Sequence, residues 1–149
     1  MIITGGLYIT QAKYASELLS RAGLTDSKTV DTPIKLNVHL TPIGGKPLSN
    51  PCLYRRLVVS LVYLTVTRPD ISYAVHQVSQ YLFAPQSTHY AAILRILWYL
   101  KDTLFHDLFY SAQSPLVLCA FSDVDWARDL TDRRSTIGYC FLLSSSLIS

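Results

Sequence analysis

The sequence is poor in charged residues and especially in glutamate. Only 15% of its 149 residues are charged, against about a quarter in average soluble proteins, and Glu17 is its single glutamate.

The three cysteines, Cys52, Cys119 and Cys140, are odd in number and include no Cys-x-x-Cys pair. This pattern argues against a disulfide framework and against a zinc site. We expect reduced, packed thiols.

Long apolar runs and a secretory leader are also missing. The apolar run at residues 57–67 is too short to cross a bilayer, which needs about 20 residues. Met1 is followed by neither a basic region nor a long apolar stretch. We therefore expect an intracellular protein that does not bind a membrane; the sequence does not distinguish cytoplasm from nucleus.

The charge that is present is slightly basic. A net charge of +3 and a pI of about 8.8 permit contact with nucleic acid without requiring it. Several cations interrupt apolar helical segments, and we take Arg55, Arg56, Arg95 and Lys101 as candidate phosphate contacts. On sequence alone, a solvated helix surface is the competing interpretation.

The first third of the chain predicts a strand end, a helix and a linker. Residues 7–10 have strand character, and residues 11–22 carry an apolar stripe at helical spacing. Gly23 is well placed to end that helix. Repeated prolines and glycines between residues 25 and 51 exclude a long regular element there.

Three more helices follow, which together predict a helical cluster. The first spans residues 54–66, and Thr67 is the predicted N-cap of the second. Ser87 or Thr88 is the predicted cap of the third, which continues to about residue 104. The buried positions of the cluster should include Leu57, Leu61, Val75, Val78, Ile96 and Leu100.

Beyond residue 107 the apolar period changes from helical spacing to alternation. Residues 108–110, 116–123 and 136–143 predict strands separated by polar turns. The fold class is therefore α+β. The histidines are too scattered to predict a metal site, and we expect structural or surface positions for His39, His76, His89 and His106.

Several ordered motifs resemble the Pol polyproteins of copia-type retrotransposons, at the junction of reverse transcriptase and RNase H. Residues 54–75 read YRRLVVSLVYLTVTRPDISYAV and residues 89–103 read HYAAILRILWYLKDT. The opening of the RNase H domain is similar to FSDVDWARD at residues 121–129 and DRRSTIGYCFL at residues 132–142. ITQAKYASELL at residues 9–19 also matches, so the resemblance covers nearly the whole chain.

The resemblance implies a specific domain order. Residues 1–40 would be the tail of the palm and thumb region of reverse transcriptase, and residues 41–53 a linker rich in proline and glycine. Residues 54–105 would form a helical cluster similar to a thumb or connection region. Residues 106–149 would be a truncated start of RNase H, an incomplete β-hairpin sheet.

The resemblance also implies an incomplete set of catalytic residues. Polymerisation in this family uses an Asp-Asp pair, which occurs nowhere in the sequence. RNase H uses about four carboxylates that hold two Mg²⁺ ions. Asp123 matches the first of them, while Asp125 is more ordinary for a strand end. The family's site also needs a glutamate downstream of Asp123, but the single glutamate, Glu17, lies on the polymerase side. We therefore expect no cofactor and no activity in the isolated chain. In the intact parent enzyme we expect Mg²⁺.

Three functions remain open at this point. The leading hypothesis is a retroelement-derived fragment whose parent grips an RNA–DNA template–primer duplex through its phosphates, so that the isolated chain binds nucleic acid weakly. The alternatives are a surviving nucleic-acid-binding module and a truncated gene model of an active reverse transcriptase with RNase H. An open strand edge in the last segment also predicts self-association.

Overall fold

A computed structural model describes residues 2–3, 5–24, 28–35, 39–125, 135–144 and 146–148. Their contacts divide the chain into two compact units. The helical unit comprises residues 10–107, and the strand unit combines residues 1–9 with residues 108–149. Helices and antiparallel strands thus occupy separate units, and no helix in the described ranges is long and apolar enough to span a membrane.

Helix α1, Ala12–Arg21, ends as the sequence predicts. Gly23 adopts a left-handed conformation, with φ of +69°, which glycine tolerates without a steric penalty. The backbone N–H of Leu24 then donates to the carbonyl of Leu19 at 3.2 Å, satisfying a carbonyl at the end of the helix. The helix buries Leu18 and Leu19 against the other helices.

Helix α2, Pro51–Leu64, begins three residues before the predicted start at residue 54. The Asn50 side chain caps it by accepting the N–H of Leu53 at 3.1 Å. Pro51 fits the first turn because its missing N–H would have no helical partner there. The proline assigned to the linker is therefore part of a helix start.

The segment after α2 contradicts one predicted cap. A 3-10 turn, Pro69–Ile71, leads into helix α3, Ser72–Ser79, and Arg68 occupies the cap position. Thr67 does not cap it, because its hydroxyl donates backwards to the carbonyl of Leu64 at 3.4 Å. Burial of Thr67 against the end of α2 directs its side chain away from the next helix.

Helix α4, Ser87–Asp102, contradicts the second predicted cap. Neither Ser87 nor Thr88 precedes the helix, because Gln86 holds the cap position. The Gln86 N–H is satisfied by Nδ1 of His89 at 3.0 Å. The hydroxyl of Ser87 instead accepts the N–H of Lys46 at 3.1 Å, which ties the linker to the start of α4.

The core of the helical unit lies where the apolar stripes predict it. All six predicted core positions are buried, which confirms the helical periodicity; they are Leu57, Leu61, Val75, Val78, Ile96 and Leu100. Burying a side chain of this size contributes about 1.5–3 kcal/mol. Tyr54 adds a polar contact to this core, donating its hydroxyl to the carbonyl of Val78 at 2.7 Å, and burial raises its pKa.

A buried arginine joins the two ends of this core. Arg68 is 6% exposed and makes two hydrogen bonds to the carboxylate of Asp70, at 3.0 and 2.7 Å. Its remaining N–H groups donate to the backbone carbonyl and the hydroxyl of Thr103, at 2.9 and 2.6 Å. Tyr99 donates to the same carboxylate at 2.9 Å. We call these four residues the Arg68 network; it links the end of α2 to the end of α4.

The charge of Asp70 is stabilised within this network. Burial alone would raise the pKa of Asp70, but the hydrogen bonds and positive charge of Arg68, with the hydroxyl of Tyr99, outweigh burial and hold the pKa below its usual range. A buried guanidinium needs its counter-charge, because removing one partner of such a pair leaves an uncompensated ion. The network is therefore a condition for packing this end of the unit.

The strand unit contains two small antiparallel sheets. In the first, β1 (Ile2–Ile3), β2 (Gly6–Ile9) and β3 (Leu108–Ser111) lie in the order β1-β2-β3. Gly6 is required opposite β3, since a Cβ there would overlap the carbonyl oxygen of Tyr110. The pairing of β2 with β3 joins residues about one hundred positions apart, so strands from distant parts of the sequence share this sheet.

The second sheet has the order β4-β5-β6, comprising β4 (Leu118–Asp125), β5 (Thr136–Leu143) and β6 (Ser146–Leu147). The strands predicted at residues 108–110, 116–123 and 136–143 are thereby confirmed, with β4 beginning and ending two residues later than predicted. Within the described residues, β4 pairs on one side only, with β5. Phe121 and Tyr139 are more than half exposed on this hairpin.

Removing the charge of Asp70 should destabilise the helical unit. Asp70→Asn keeps the side-chain size but leaves the buried Arg68 without its carboxylate, and we expect a loss of roughly 2–3 kcal/mol in the free energy of unfolding. Denaturant titration of the purified chain measures it. Glu17→Gln is the matched control, because Glu17 pairs with Arg21 on an exposed helix surface at 3.3 Å and should cost less than about 0.5 kcal/mol. Equal losses in the two variants would show that the network does not stabilise the fold.

Candidate nucleic-acid interface

Two of the four predicted cations, Arg55 and Arg56, lie side by side on α2. With Arg21 at the end of α1 they surround a cavity of about 540 Å³ whose apolar lining includes Leu18 and Leu57. We call Arg21, Arg55 and Arg56 the arginine cluster. The sequence did not single out Arg21; its position in the last turn of a helix that packs against α2 is what brings it there.

The three arginines differ in how firmly they are held. Arg55 donates its Nε to the carbonyl of Leu82 at 2.9 Å and its Nη2 to that of Phe83 at 3.5 Å. These bonds fix its position without neutralising its charge. Arg56 is exposed and has no hydrogen-bond partner or acidic neighbour in the described part of the chain. Among the residues that the structure describes, Arg21 is the one member of the three that is paired with a carboxylate, that of Glu17. The cluster therefore presents a net positive charge to solvent.

Arg95 lies elsewhere, on α4, where its Nη2 donates to the hydroxyl of Thr32 at 2.8 Å. It lines a groove of about 600 Å³ together with Lys28, Lys35 and Trp98. The groove lies between α3, α4 and the irregular part of the linker that follows α1, at residues 28–35 and 40. We call this the Trp98 groove. Neither lysine was predicted, because linker residues follow no helical or strand period that would assign them to a face.

Lys101 is the fourth predicted contact. Its ammonium group donates to the carbonyl of Leu24 at 3.4 Å, just beyond the end of α1. Lys101 lines neither the cavity of the arginine cluster nor the Trp98 groove. The four cations therefore lie at three places on the helical unit, and Lys101 has a structural contact of its own.

Asp123, the predicted catalytic carboxylate, lies exposed on β4 opposite Gly138. One of its oxygens accepts the N–H of Val124 at 2.9 Å. The side chain of Asp125, together with residues 126–134, lies outside the described residues. Within those residues no group of three metal-ligating side chains converges, so they do not by themselves fit a two-metal site. The role of Asp123 stays a prediction.

A buried histidine positions the linker along the Trp98 groove. His89 is fully buried, with its ring stacked on Tyr81 at a centroid distance of 3.8 Å. Because its Nδ1 accepts the N–H of Gln86, its Nε2 carries the proton and donates to the carbonyl of Thr41 at 2.9 Å. Tyr81 in turn donates to the carbonyl of Leu40 at 2.7 Å. The structural role predicted for His89 is confirmed.

The chain is similar in sequence to known proteins over nearly its whole length. The chain is 42% identical, over 97% of its length, to the retrovirus-related Pol polyprotein from transposon RE2 of Arabidopsis thaliana. It is 40% identical over the same share to an uncharacterised mitochondrial protein of that plant, and 35% identical over 96% to the Pol polyprotein from transposon TNT 1-94 of Nicotiana tabacum. No protein-family model and no solved structure matches the chain.

The chain belongs to the family of copia-type, retrovirus-related Pol polyproteins. It spans 60% of the length of the mitochondrial relative, and 10% and 11% of the RE2 and TNT 1-94 polyproteins. The resemblance seen in the sequence motifs is therefore confirmed at the level of the family, and the chain corresponds to a short segment of the transposon polyproteins.

The stability of the helical unit should depend on pH through His89. Burial lowers the pKa of His89 below the ordinary value of 6.5, despite the hydrogen bond to Thr41, which acts in the opposite direction. The unfolded chain therefore takes up the proton first. The stability due to neutral His89 should be complete above pH 6.5 and be lost as the pH falls below it, by up to about 1.4 kcal/mol per pH unit.

Denaturant titrations between pH 8 and pH 5 measure this loss. His89→Gln should abolish the part of the pH dependence that begins near 6.5. His76→Gln replaces an exposed histidine on α3 and is the matched control. A stability curve that is flat across this range in the unmodified chain would contradict the role of His89.

Proposed function

We propose that this chain corresponds to the junction of reverse transcriptase and RNase H in a retrotransposon Pol polyprotein, and that its helical unit contributes phosphate contacts to a grip on an RNA–DNA duplex. The observation that supports this most directly is the arginine cluster. Three guanidinium groups from two helices face one open cavity, and one carboxylate, Glu17, offsets them. Contacts of this kind bind the nucleic-acid backbone and carry no sequence information.

The proposed contact is modest in strength. Arg55 and Arg56 supply two unneutralised charges, and neutralising each phosphate releases condensed counterions. Binding should therefore weaken steeply with salt and be similar for unrelated sequences. Arg95 and Lys101 are weaker candidates within this proposal, since each is held by a hydrogen bond to another part of the helical unit. The thumb-like or connection-like assignment of this unit belongs to the same proposal.

Replacing the two exposed arginines tests the contact. In fluorescence anisotropy with a labelled RNA–DNA hybrid, Arg55→Gln with Arg56→Gln should lower affinity roughly tenfold or more near 0.1 M salt. The slope of log K against log salt should become shallower by about 2. Lys13→Gln with Lys46→Gln also removes two positive charges, from exposed positions that do not line the cavity of the cluster, and serves as the matched control. If the control and the arginine double variant lose affinity equally, the cluster is not the contact surface.

We further propose that the 149-residue chain has no RNase H activity of its own. The reaction needs about four carboxylates around two metal ions 3.5–4 Å apart. Asp123 supplies one from an exposed strand, and the single glutamate, Glu17, lies on α1 in the helical unit. In the intact parent enzyme Asp123 would be one of the Mg²⁺ ligands. The exposed apolar residues of β4 and β5, with an edge of β4 that no described strand covers, would also favour self-association.

Incubating the chain with a labelled RNA–DNA hybrid and excess Mg²⁺ should leave the RNA strand intact. Gel electrophoresis over several hours measures cleavage, and a complete RNase H run in parallel shows that the substrate is competent. Asp123→Asn is the control for contamination, because it removes the matched carboxylate. Cleavage by the unmodified chain that disappears in this variant would show that fewer carboxylates suffice.

A further inference from the structure

The Trp98 groove combines three features that a nucleotide would complement. Its lining carries three cationic side chains, Lys28, Lys35 and Arg95, and no acidic side chain among the residues described. Its volume of about 600 Å³ lies in the range of small-molecule sites. Its walls are largely apolar, with Ile34 and Leu40 from the linker facing helices α3 and α4. An anion with a flat apolar body fits this combination.

Two hydrogen-bond donors in the lining indicate that the ligand should carry acceptors. The indole Nε1 of Trp98 and the Nε of Arg95 are both buried without a hydrogen-bond partner in the part of the chain that is described. A buried donor left unsatisfied costs about 1–3 kcal/mol, so an acceptor brought by a ligand would be favoured here. The ring nitrogens and carbonyl oxygens of a nucleobase could accept from both donors while the anion of the same ligand meets the cations.

The position of Lys28 indicates where the phosphate would lie. Its ammonium group is 3.6 Å from the centroid of the Trp98 ring, a cation–π contact. No ion pair to Lys28 is formed within the described residues. A phosphate close to the indole would therefore meet a cation already held in position, while Lys35 and Arg95 line the same groove.

We propose that the Trp98 groove binds a nucleotide, with an edge of the base accepting from the indole N–H of Trp98, its faces against the apolar wall, and the phosphate on the three cations. The shared chemistry is an aromatic base joined to a phosphate. It could come from a free mononucleotide or from an unpaired nucleotide of a strand. The site is separate from the arginine cluster, so this proposal does not rest on the duplex contact proposed above.

The test follows the indole N–H resonance of Trp98 in the complete chain by NMR, with the resonance assigned from Trp98→Phe. The probes are adenosine monophosphate, a short single-stranded oligonucleotide and inorganic phosphate. A shift on adding the mononucleotide, the oligonucleotide or both supports the site, and the pattern identifies the source. No shift with either at millimolar concentration, or an equal shift with inorganic phosphate alone, overturns it.

Variants check that the effect belongs to this groove. Trp98→Phe removes the indole N–H and should weaken nucleotide binding about tenfold through the lost hydrogen bond. Lys35→Gln changes an exposed linker residue, which does not endanger folding, and should weaken binding several-fold through lost charge. Lys46→Gln is the charge-matched control and should bind normally. Arg55→Gln with Arg56→Gln should also bind the mononucleotide normally, which separates this proposal from the proposed duplex contact; normal binding by Lys35→Gln would count against the groove.

Discussion

The helical unit depends on one buried cation, Arg68. Its guanidinium is satisfied by Asp70 and by both oxygens of Thr103, and these bonds join the end of α2 to the end of α4. A buried guanidinium without such partners would be costly, so α4 must pack where Thr103 reaches it. This constraint fixes the two helices that carry the arginine cluster and the Trp98 groove. It also gives the Thr-Arg-Pro-Asp motif at residues 67–70 a structural explanation that requires no contact with nucleic acid.

Local patterns predicted the helices and their buried faces, because helical periodicity depends on residues three and four positions apart. Gly23 could be predicted as a helix end for the same reason. The caps at Thr67 and Ser87 were predicted wrongly, since burial and contacts to distant segments decide where those hydroxyl groups lie. The pairing of β2 with β3 was beyond a local pattern, because it joins residues about one hundred positions apart in the sequence.

In the candidate sites, too, neighbours in the sequence could be predicted, whereas residues brought together by packing could not. Arg55 and Arg56 could be predicted as a pair because they are adjacent on one helix. Their association with Arg21 depends on the packing of α1 against α2, which sequence spacing does not encode. Of the three cations of the Trp98 groove only Arg95 was predicted, because Lys28 and Lys35 come from a segment without periodicity. His89 and Tyr81 hold the chain beside the groove at Thr41 and Leu40. Membership of the retrotransposon Pol family rests on the sequence motifs and the comparisons; the two sites rest on the packing.

The central claim is that this segment of a Pol polyprotein meets nucleic acid through the arginine cluster of its helical unit. Its most direct test is the map of backbone amide shifts in the isotopically labelled chain when an RNA–DNA hybrid is added at low salt. The account predicts that the largest shifts fall at the end of α1 and in the first half of α2, around Arg21, Arg55 and Arg56, and that they diminish as salt is raised. Shifts confined to β4 and β5, or unchanged at high salt, would contradict it.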